Sequence, residues 1–302
     1  ELTQYIERFY EGGDPYDPDN HSLDRLRELP LMNFFISGGA VPELRDGLTD
    51  INYPIAQYDA EICYADDRFG QMLETLDDLG VLDDTMIIFT SDHGEALGEH
   101  DVYFDHMDAY EQVAHVPLIV WWPERVKPRS IDALVQHIDF APTILEAFGL
   151  SVPEGFQGRS LWPLLEGRTD EHYETVFTNQ GLWSAQRAMR TTEWTLVKTI
   201  TTGILDPPRP PVELYHRRDD MAEAHDVASE RPEVVAQLEL KYFRWLDEQL
   251  GPRPDPLRIA GEESAAAESV KRRYREHLAR EEKTRATVSP KDRAAIDARP
   301  GG

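Results

Sequence analysis

The sequence predicts an α/β protein that closes with a small antiparallel sheet and a packed helix. Three observations carry this expectation. An amphipathic stretch from about Ile55 to Leu79 precedes two short apolar segments, Thr85 to Thr90 and Val116 to Trp122. Four short β-rich segments lie between Thr175 and Tyr215. A second amphipathic stretch then runs from Pro232 to Leu250. Long segments of helical period followed by short apolar runs mark layers of helix packed on sheet.

Residues 1 to 50 are expected to be loop-rich. Helices over Leu2 to Tyr10 and Leu23 to Leu29 flank the turn-forming run Gly12-Gly13-Asp14-Pro15-Tyr16-Asp17-Pro18. The main helix carries Ile55, Tyr58, Ile62, Ala65, Phe69, Met72, Leu76 and Leu79 at three-four spacing, which places them on one face against a sheet or another helix. Gly80 supplies a stop. Cys63 lies beside that face and reads as a buried structural thiol. Asp66 and Asp67 are adjacent and diverge on a helix, so they read as a solvated face and not as a metal pair.

Thr85 to Thr90 is the first strand, and the loop 91 to 115 follows it. Val116 to Trp122 is apolar at successive positions, as a central strand covered on both faces would be. Val135 to His137 is a short strand candidate. Asp139 is placed to cap a helix from about Ala141 to Phe148, with Pro142 in its first turn and Gly149 after it. The later strands are expected over Thr175 to Thr178, Arg187 to Thr191, Glu193 to Thr199 and Val212 to Tyr215. The proline-rich run Leu205 to Pro211 is a stiff connector between the last two. Beyond Gly251 the residues 262 to 284 are Ala, Glu, Arg and Lys with few apolar anchors, which predicts an exposed, frayed helix or disorder.

The chain of 302 residues is 40% hydrophobic and 10% aromatic, a globular composition large enough for two domains. It has one cysteine, so no internal disulfide framework is expected, and no apolar run long enough to span a membrane. A net charge of -26 repels phosphate backbones and argues against a nucleic-acid partner. The cations are 25 Arg and 6 Lys. Acid-rich, Lys-poor surfaces suit high salt; an ordinary acidic protein from a GC-rich genome is the competing explanation. Compartment and oligomeric state stay open.

Directly after Met86-Ile87-Ile88-Phe89 comes Thr90-Ser91-Asp92-His93-Gly94-Glu95. An Asp and a His at the carboxyl end of a buried strand stand where open α/β sheets bind ligands. They are adjacent candidate metal ligands, although the same residues also make a polar turn with a hydrogen-bonded His. Next come Leu97-Gly98-Glu99-His100, Phe104-Asp105-His106-Met107-Asp108-Ala109-Tyr110-Glu111 and His115-Val116-Pro117-Leu118-Ile119-Val120. Further on stand His137-Ile138-Asp139-Phe140-Ala141-Pro142-Thr143, Gly158-Arg159-Ser160-Leu161-Trp162-Pro163-Leu164-Leu165, Arg187 to Thr191, and Glu213-Leu214-Tyr215-His216. In this order, over about residues 10 to 250, the segments resemble the sulfatase branch of the alkaline phosphatase superfamily.

The resemblance implies an alkaline-phosphatase-like α/β/α sandwich, of which this chain is the C-terminal part. Residues 1–174 would belong to the catalytic α/β domain, 175–250 would form a small α+β subdomain, and 251–302 would be a charged helical or disordered tail. It implies hydrolysis of a small-molecule or carbohydrate sulfate ester, with a divalent cation, usually Ca²⁺, beside a formylglycine. Asp92 and His93 then stand as metal ligands, although His suits Zn²⁺ or Mn²⁺ better than Ca²⁺. His106 stands four residues before Tyr110, where relatives carry a sulfate-contacting Lys, with Asp105 or Asp108 expected beside the ring as its acidic partner. His100 would orient the loop, and His115 and His137 would be structural. The formylglycine motif Cys/Ser-x-Pro-x-Arg does not occur in the sequence, and Cys63 sits outside any such pattern. The nucleophile is therefore expected in a preceding N-terminal part. The alternatives are a phosphomonoesterase, phosphodiesterase or phosphonate monoester hydrolase of the same superfamily, and a non-catalytic homologue.

Overall fold

Helix-period and strand-period segments alternate along the chain much as their apolar spacing dictates. The computed structural model describes residues 2–37, 44, 46–182, 184–203, 208–263 and 265–287. The first part of the proline-rich connector and the end of the charged tail, residues 204–207 and 288–302, lie outside the described residues.

Three short helices open the chain: α1 (Thr3–Phe9), α2 (Asp24–Glu28) and α3 (Pro30–Ser37). The sequence pointed to the first two and not to α3. Leu23, Leu26 and Leu29 make an i, i+3, i+6 stripe that packs with Leu44, Leu48 and Tyr103 in one buried cluster. The long helix α4 (Asn52–Asp78) ends at Gly80, whose φ of +67° suits a residue without a side chain. Only Ala56 and Ala60 of α4 are buried, where α1 lies against it; Cys63 is half-buried rather than buried. Ile62, Met72 and Leu79 stay exposed, so the apolar stripe is only partly covered among the described residues.

Strand β1 (Ile87–Thr90) pairs antiparallel with β4 (Leu118–Trp121), Ile88 opposite Val120 and Thr90 opposite Leu118. Between them β2 (Ala96–Leu97) and β3 (Tyr103–Asp105) form a small bulged ladder, and helix α5 (Glu111–Ala114) follows. The expectation that Val116 to Trp122 is covered on both faces is corrected. Side chains alternate across a strand. Leu118, Val120 and Trp122 face a cluster built on Leu161, Trp162, Leu164 and Leu165, whereas Ile119 points away and is 58% exposed.

Val135 to His137 is not a strand. Leu134 makes a single bridge to Tyr173, and His137–Asp139 is a 3-10 turn leading into α6 (Phe140–Ala147). Asp139 does not cap α6 with its side chain. Fully buried, its carboxylate accepts the backbone N–H of Gln136 (2.8 Å) and of Arg159 (2.9 Å) and the Tyr173 hydroxyl (2.6 Å). Three separate segments thus satisfy a charge that would be costly to bury alone. Gly158 sits so close to this turn that a Cβ would lie 1.9 Å from the Ile138 carbonyl oxygen. The short helix α7 (Trp162–Leu165) follows.

The remaining strands, β5 (Val176–Gln180), β6 (Ala185–Arg190), β7 (Trp194–Thr201) and β8 (Val212–His216), form one antiparallel sheet in sequence order. Helix α8 (Pro232–Leu250) covers one face through Leu238 and Tyr242, which pack on Met189, Leu196 and Leu214. Helices α9 (Pro256–Glu263) and α10 (Ala265–Thr287) complete the described chain. The expectation of an exposed, frayed tail is corrected over its first part. Val270 and Tyr274, four residues apart, are buried against Leu31, with Leu278 one turn further along the same stripe. Asp255, just before α9, is held to Arg187 of β6 by two hydrogen bonds of 3.0 Å.

Candidate active site

The site grows from the turn that ends β1. Ser91 donates to the His93 carbonyl (2.7 Å), and Asp92 accepts the backbone N–H of His93 (3.0 Å). Gly94 donates to the Val113 carbonyl (2.8 Å), which lays the turn flat on α5. A Cβ at position 94 would stand 2.0 Å from the Gln112 carbonyl oxygen, so only glycine allows this approach. His137 reaches the same turn from the other side, with Nε2 3.0 Å from the Ser91 carbonyl oxygen.

His93 and His106 meet. Their rings stack with centroids 4.0 Å apart and planes 21° from parallel. His93 Nδ1 lies 2.9 Å from the Gly94 carbonyl oxygen. A carbonyl can only accept, so Nδ1 carries the proton at this contact. His106 Nδ1 is 3.1 Å from Glu95 Oε2. Nitrogen atoms of the two rings and a Glu95 oxygen all lie within 4.8 Å of one another.

The structure changes the expected surroundings of His106. Neither Asp105 nor Asp108 is the carboxylate beside its ring. Asp105 accepts the backbone N–H groups of His106 (2.7 Å) and Met107 (2.9 Å), and Asp108 accepts that of Tyr110 (2.9 Å). Their carboxylates hold the shape of the loop, and Glu95 takes the place beside the imidazole. Burial pushes the Asp105 carboxyl up from its ordinary value, and pushes Asp108 up to about 7. Glu95 was not among the expected site residues. Its place two residues after His93 was its one sequence signal, and that does not by itself bring its carboxylate to His106.

Asp92 stands at the rim. Its side chain is 86% exposed, and Oδ2 lies 3.7 Å from His93 Nε2. The His93 backbone N–H, followed by the His93 ring, holds its carboxyl below the ordinary value. His100 lies away from the His93–Glu95–His106 group. Its ring stacks on Tyr110 at 3.7 Å and 5°, and burial, ahead of the Arg209 charge, lowers its pKa to about 4. It is neutral near pH 7.

The Tyr110-Glu111 pair fastens this loop to the small sheet. The Tyr110 hydroxyl donates to Glu213 of β8 (2.9 Å), which also accepts from Tyr215 (2.7 Å). Glu111 accepts from Arg190 of β6 (2.8 Å) and Arg217 (2.7 Å) and lies 3.1 Å from His115. Arg190 also donates to the Ala109 carbonyl (2.7 Å) and the Thr178 hydroxyl (2.8 Å). His115 is therefore a partner of this buried carboxylate.

As a cation seat the group offers two imidazole nitrogens and one carboxylate, with the Asp92 carboxylate nearby. Ca²⁺ takes six to eight oxygen ligands. Mixed nitrogen and oxygen donors suit Zn²⁺ and its transition-metal neighbours.

Two family models match the chain over overlapping stretches. The model described as Sulfatase covers residues 3–150, and the model described as N-sulphoglucosamine sulphohydrolase, C-terminal, covers residues 98–246. An N-acetylglucosamine-6-O-sulfatase of Bacteroides thetaiotaomicron is 42% identical over 110 residues, 36% of this chain and 20% of that protein. A solved structure described as in complex with its substrate D-glucosamine-2-N,6-O-disulfate is 26% identical. It superposes with a TM-score of 0.58 over 70% of this chain and 45% of its own. A phosphonate monoester hydrolase from Silicibacter pomeroyi is 25% identical with a TM-score of 0.60, over 76% of this chain and 50% of its own. The chain spans between a fifth and about a third of the length of the curated relatives it matches. With the two models meeting on the loop that carries His100, His106 and Tyr110-Glu111, and with relatives of both sequence and fold, the chain belongs to the sulfatase family of the alkaline phosphatase superfamily.

Proposed function

We propose that this chain is the part of a metal-dependent sulfuric ester hydrolase that carries one side of its cation site and a sulfate contact. The observation that carries this reading is the convergence of His93, Glu95 and His106 at the carboxyl end of β1, with Asp92 beside them. Family membership implies a divalent metal and a formylglycine. When bound, the metal supplies positive charge for a sulfate oxygen and for the nucleophile. Asp92 and His93 are assigned to hold it. Calcium is the ion the resemblance implies; Asp92 suits it and His93 does not, so Zn²⁺ or Mn²⁺ fits the pair better.

The other roles follow from what each residue touches. His106 is assigned to a sulfate oxygen. With Glu95 Oε2 beside Nδ1, Nε2 is the ring nitrogen left to meet a sulfate oxygen. Charge spread over the sulfate oxygens in the transition state is what such donors stabilise. Gly94 and the Asp105 turn fix the two rings in place, so little reorganisation is needed when substrate arrives. Hydrolysis then needs a nucleophile from outside these 302 residues, since Cys/Ser-x-Pro-x-Arg is not among them. In this reading residues 1–174 carry the site, residues 175–250 brace it through Tyr110-Glu111, and residues 251–302 are a charged tail with no part in the chemistry.

The substrate we assign is a sulfated carbohydrate or similar small sulfate ester, because a relative is a hexosamine sulfatase and a structural neighbour was solved with a disulfated glucosamine. A phosphonate monoester is the second reading, favoured by the Silicibacter pomeroyi neighbour. The test uses protein purified from the native gene, unaltered and with Asp92→Ala. Release of sulfate from N-acetylglucosamine 6-sulfate, falling at least 100-fold in the variant, supports the assignment. Undiminished release in the variant refutes the role of Asp92. Faster turnover of a phenyl phosphonate ester than of every sulfate ester tried transfers the assignment to the second reading.

A further inference from the structure

We propose that a cavity walled by Glu95 takes the hydrocarbon part of the sulfate ester's alcohol, and that Phe104 and Tyr58 select it. The substrate role of the cavity rests on the sulfate contact assigned above to His106, and it narrows the class of ester. The cavity itself does not depend on that contact.

The cavity holds about 340 Å³. Small-molecule sites run from roughly 300 to 1,000 Å³. Its apolar walls are Leu44, Leu48, Pro54, Leu97 and Phe104, with Tyr58 of α4 beside them. Leu44 and Leu48 belong to the buried cluster built on Leu23 and Leu26, so the floor is continuous with the core. Tyr58 is 37% exposed and Glu61, also on the wall, is exposed, so the cavity opens to solvent along α4. Glu95 lines the cavity, and its Oε2 is 3.1 Å from His106 Nδ1. A group in the cavity is thus one side chain away from the ring assigned to sulfate.

Phe104 is placed there by an unusual backbone. On the ladder of β2 and β3, Ala96 faces Asp105 and Leu97 faces Tyr103, so Phe104 is the extra residue of a bulge. Its φ is +53°. Glycine takes that conformation freely, and a bulky side chain does not. Bulges re-aim side chains and recur beside active sites. Here the bulge sets an aromatic ring on the cavity wall, two residues before His106.

The chemistry of the walls decides the ligand. The polar side chains are Gln57 and Glu61 on α4, and Glu95, which is already engaged with His106. A bare sugar ring among the leucines would bury hydroxyls without partners, which is costly. A hydrocarbon ring gives up no hydrogen bond and gains by burying its surface. Phe104 also packs at the edge of the core cluster, so a test has to separate selection from packing.

The experiment uses protein purified from the native gene. Cyclohexylmethanol, titrated calorimetrically, probes the cavity alone. Methyl sulfate and cyclohexylmethyl sulfate, esters of similar unactivated alcohols, are the substrate pair. Phe104→Gly and Tyr58→Ala are compared with the control Phe148→Ala, which is 70% exposed at the end of α6. Saturable binding of cyclohexylmethanol is expected, with KM for cyclohexylmethyl sulfate about 10-fold or more below that for methyl sulfate. Phe104→Gly and Tyr58→Ala should each weaken the alcohol and bring the KM ratio closer to one by about threefold or more, and Phe148→Ala should leave both as they are. A purely structural role for Phe104 would depress turnover of the two esters together and leave the ratio alone. The same ratio in all four proteins, or a ratio near one in the unaltered protein, overturns the inference. Circular dichroism checks that each variant folds; should Phe104→Gly fail, Tyr58→Ala decides alone. Binding of cyclohexylmethanol with sulfate released from neither ester would leave the hydrocarbon site standing and remove the hydrolase reading. Release from both esters without preference would do the reverse.

Discussion

Arg190 is the residue whose loss should cost the fold most outside the apolar core. Its side chain is 4% exposed and makes three hydrogen bonds, to Glu111 (2.8 Å), the Ala109 carbonyl (2.7 Å) and Thr178 (2.8 Å). Arg190→Met keeps much of the apolar stem and removes every donor. Breaking a buried ion pair from one side costs about 3 to 5 kcal/mol. Glu111 keeps Arg217 at 2.7 Å and His115 at 3.1 Å, which draws the expectation to the lower end of that range. The stranded Ala109 carbonyl adds about 1 kcal/mol. A loss of about 4 kcal/mol follows, read by urea unfolding with tryptophan fluorescence at pH 7. A double-mutant cycle with Glu111→Gln separates pairing from packing: the two losses should fall short of adding by more than about 1 kcal/mol. A loss below about 1 kcal/mol, or full additivity, would refute the view that Arg190 clamps the 105–111 loop to the small sheet.

The same carboxylate sets a pH dependence. Burial alone would raise Glu111, but His115 and the Arg190 and Arg217 guanidinium groups outweigh it and hold the carboxyl at about 2. Its folded value is below its ordinary 4.5, so the stabilisation is present above pH 4.5 and lost as pH falls toward 2. The difference is worth about 3 kcal/mol. Unfolding midpoints compared at pH 7 and pH 3 should therefore drop further for the unaltered chain than for Glu111→Gln, and equal drops would count against the pairing. His115, raised by Glu111 ahead of the opposing effect of burial, works in the other direction, and its share fades as pH climbs past 6.5. Gly94→Ala should cost about 1 to 3 kcal/mol, because its Cβ meets the Gln112 carbonyl oxygen at 2.0 Å; a thermal melt matching the unaltered chain would show that α5 can yield. Thr143→Val should cost about 1 to 3 kcal/mol. The buried hydroxyl donates to the Asp139 carbonyl (2.6 Å) and accepts from Leu161 N–H (2.8 Å), and both would lose their partner. An unchanged midpoint in chemical denaturation would contradict that account.

The parts of the fold that were legible in the sequence are those where one period dominates. The helix Asn52–Asp78 and the helix Pro232–Leu250 each show a long three-four apolar spacing, and glycine follows where each stops. The four later strands were legible from short β-rich runs. What periodicity missed has a common cause. Helix Pro30–Ser37 is too short to establish a period. The buried stripe Val270, Tyr274, Leu278 is sparse within a charged helix, and its meaning depends on Leu31 far away in sequence. Within the site, Asp92, His93 and His106 stood out because of the strand end and the motif order. Glu95 did not, since it is one of 57 acidic residues and nothing local says that its carboxylate will meet an imidazole eleven positions on.

The segments by which the family can be recognised are mostly not the segments that do chemistry. Gly94 lets one backbone lie on another, and Gly158 does the same beside Ile138. Tyr110 and Glu111 enter the small sheet through Glu213, Arg190 and Arg217. Asp139 gathers Gln136, Arg159 and Tyr173 around one buried carboxylate. Each solves a packing or hydrogen-bonding problem that has few side-chain solutions, because a buried charge or a 2 Å approach tolerates little variation. Asp92 and His93 are exposed and His106 is half-buried, and none of the three carries a buried charge or a 2 Å backbone approach. In the roles proposed for them, their identity can change with the ion and the ester group without disturbing the frame. Under the role proposed above, His106 stands where the sequence resemblance implies a Lys, and the frame around it, from the Asp105 turn to the Arg190 clamp, is built from groups that do not depend on which of the two side chains stands there.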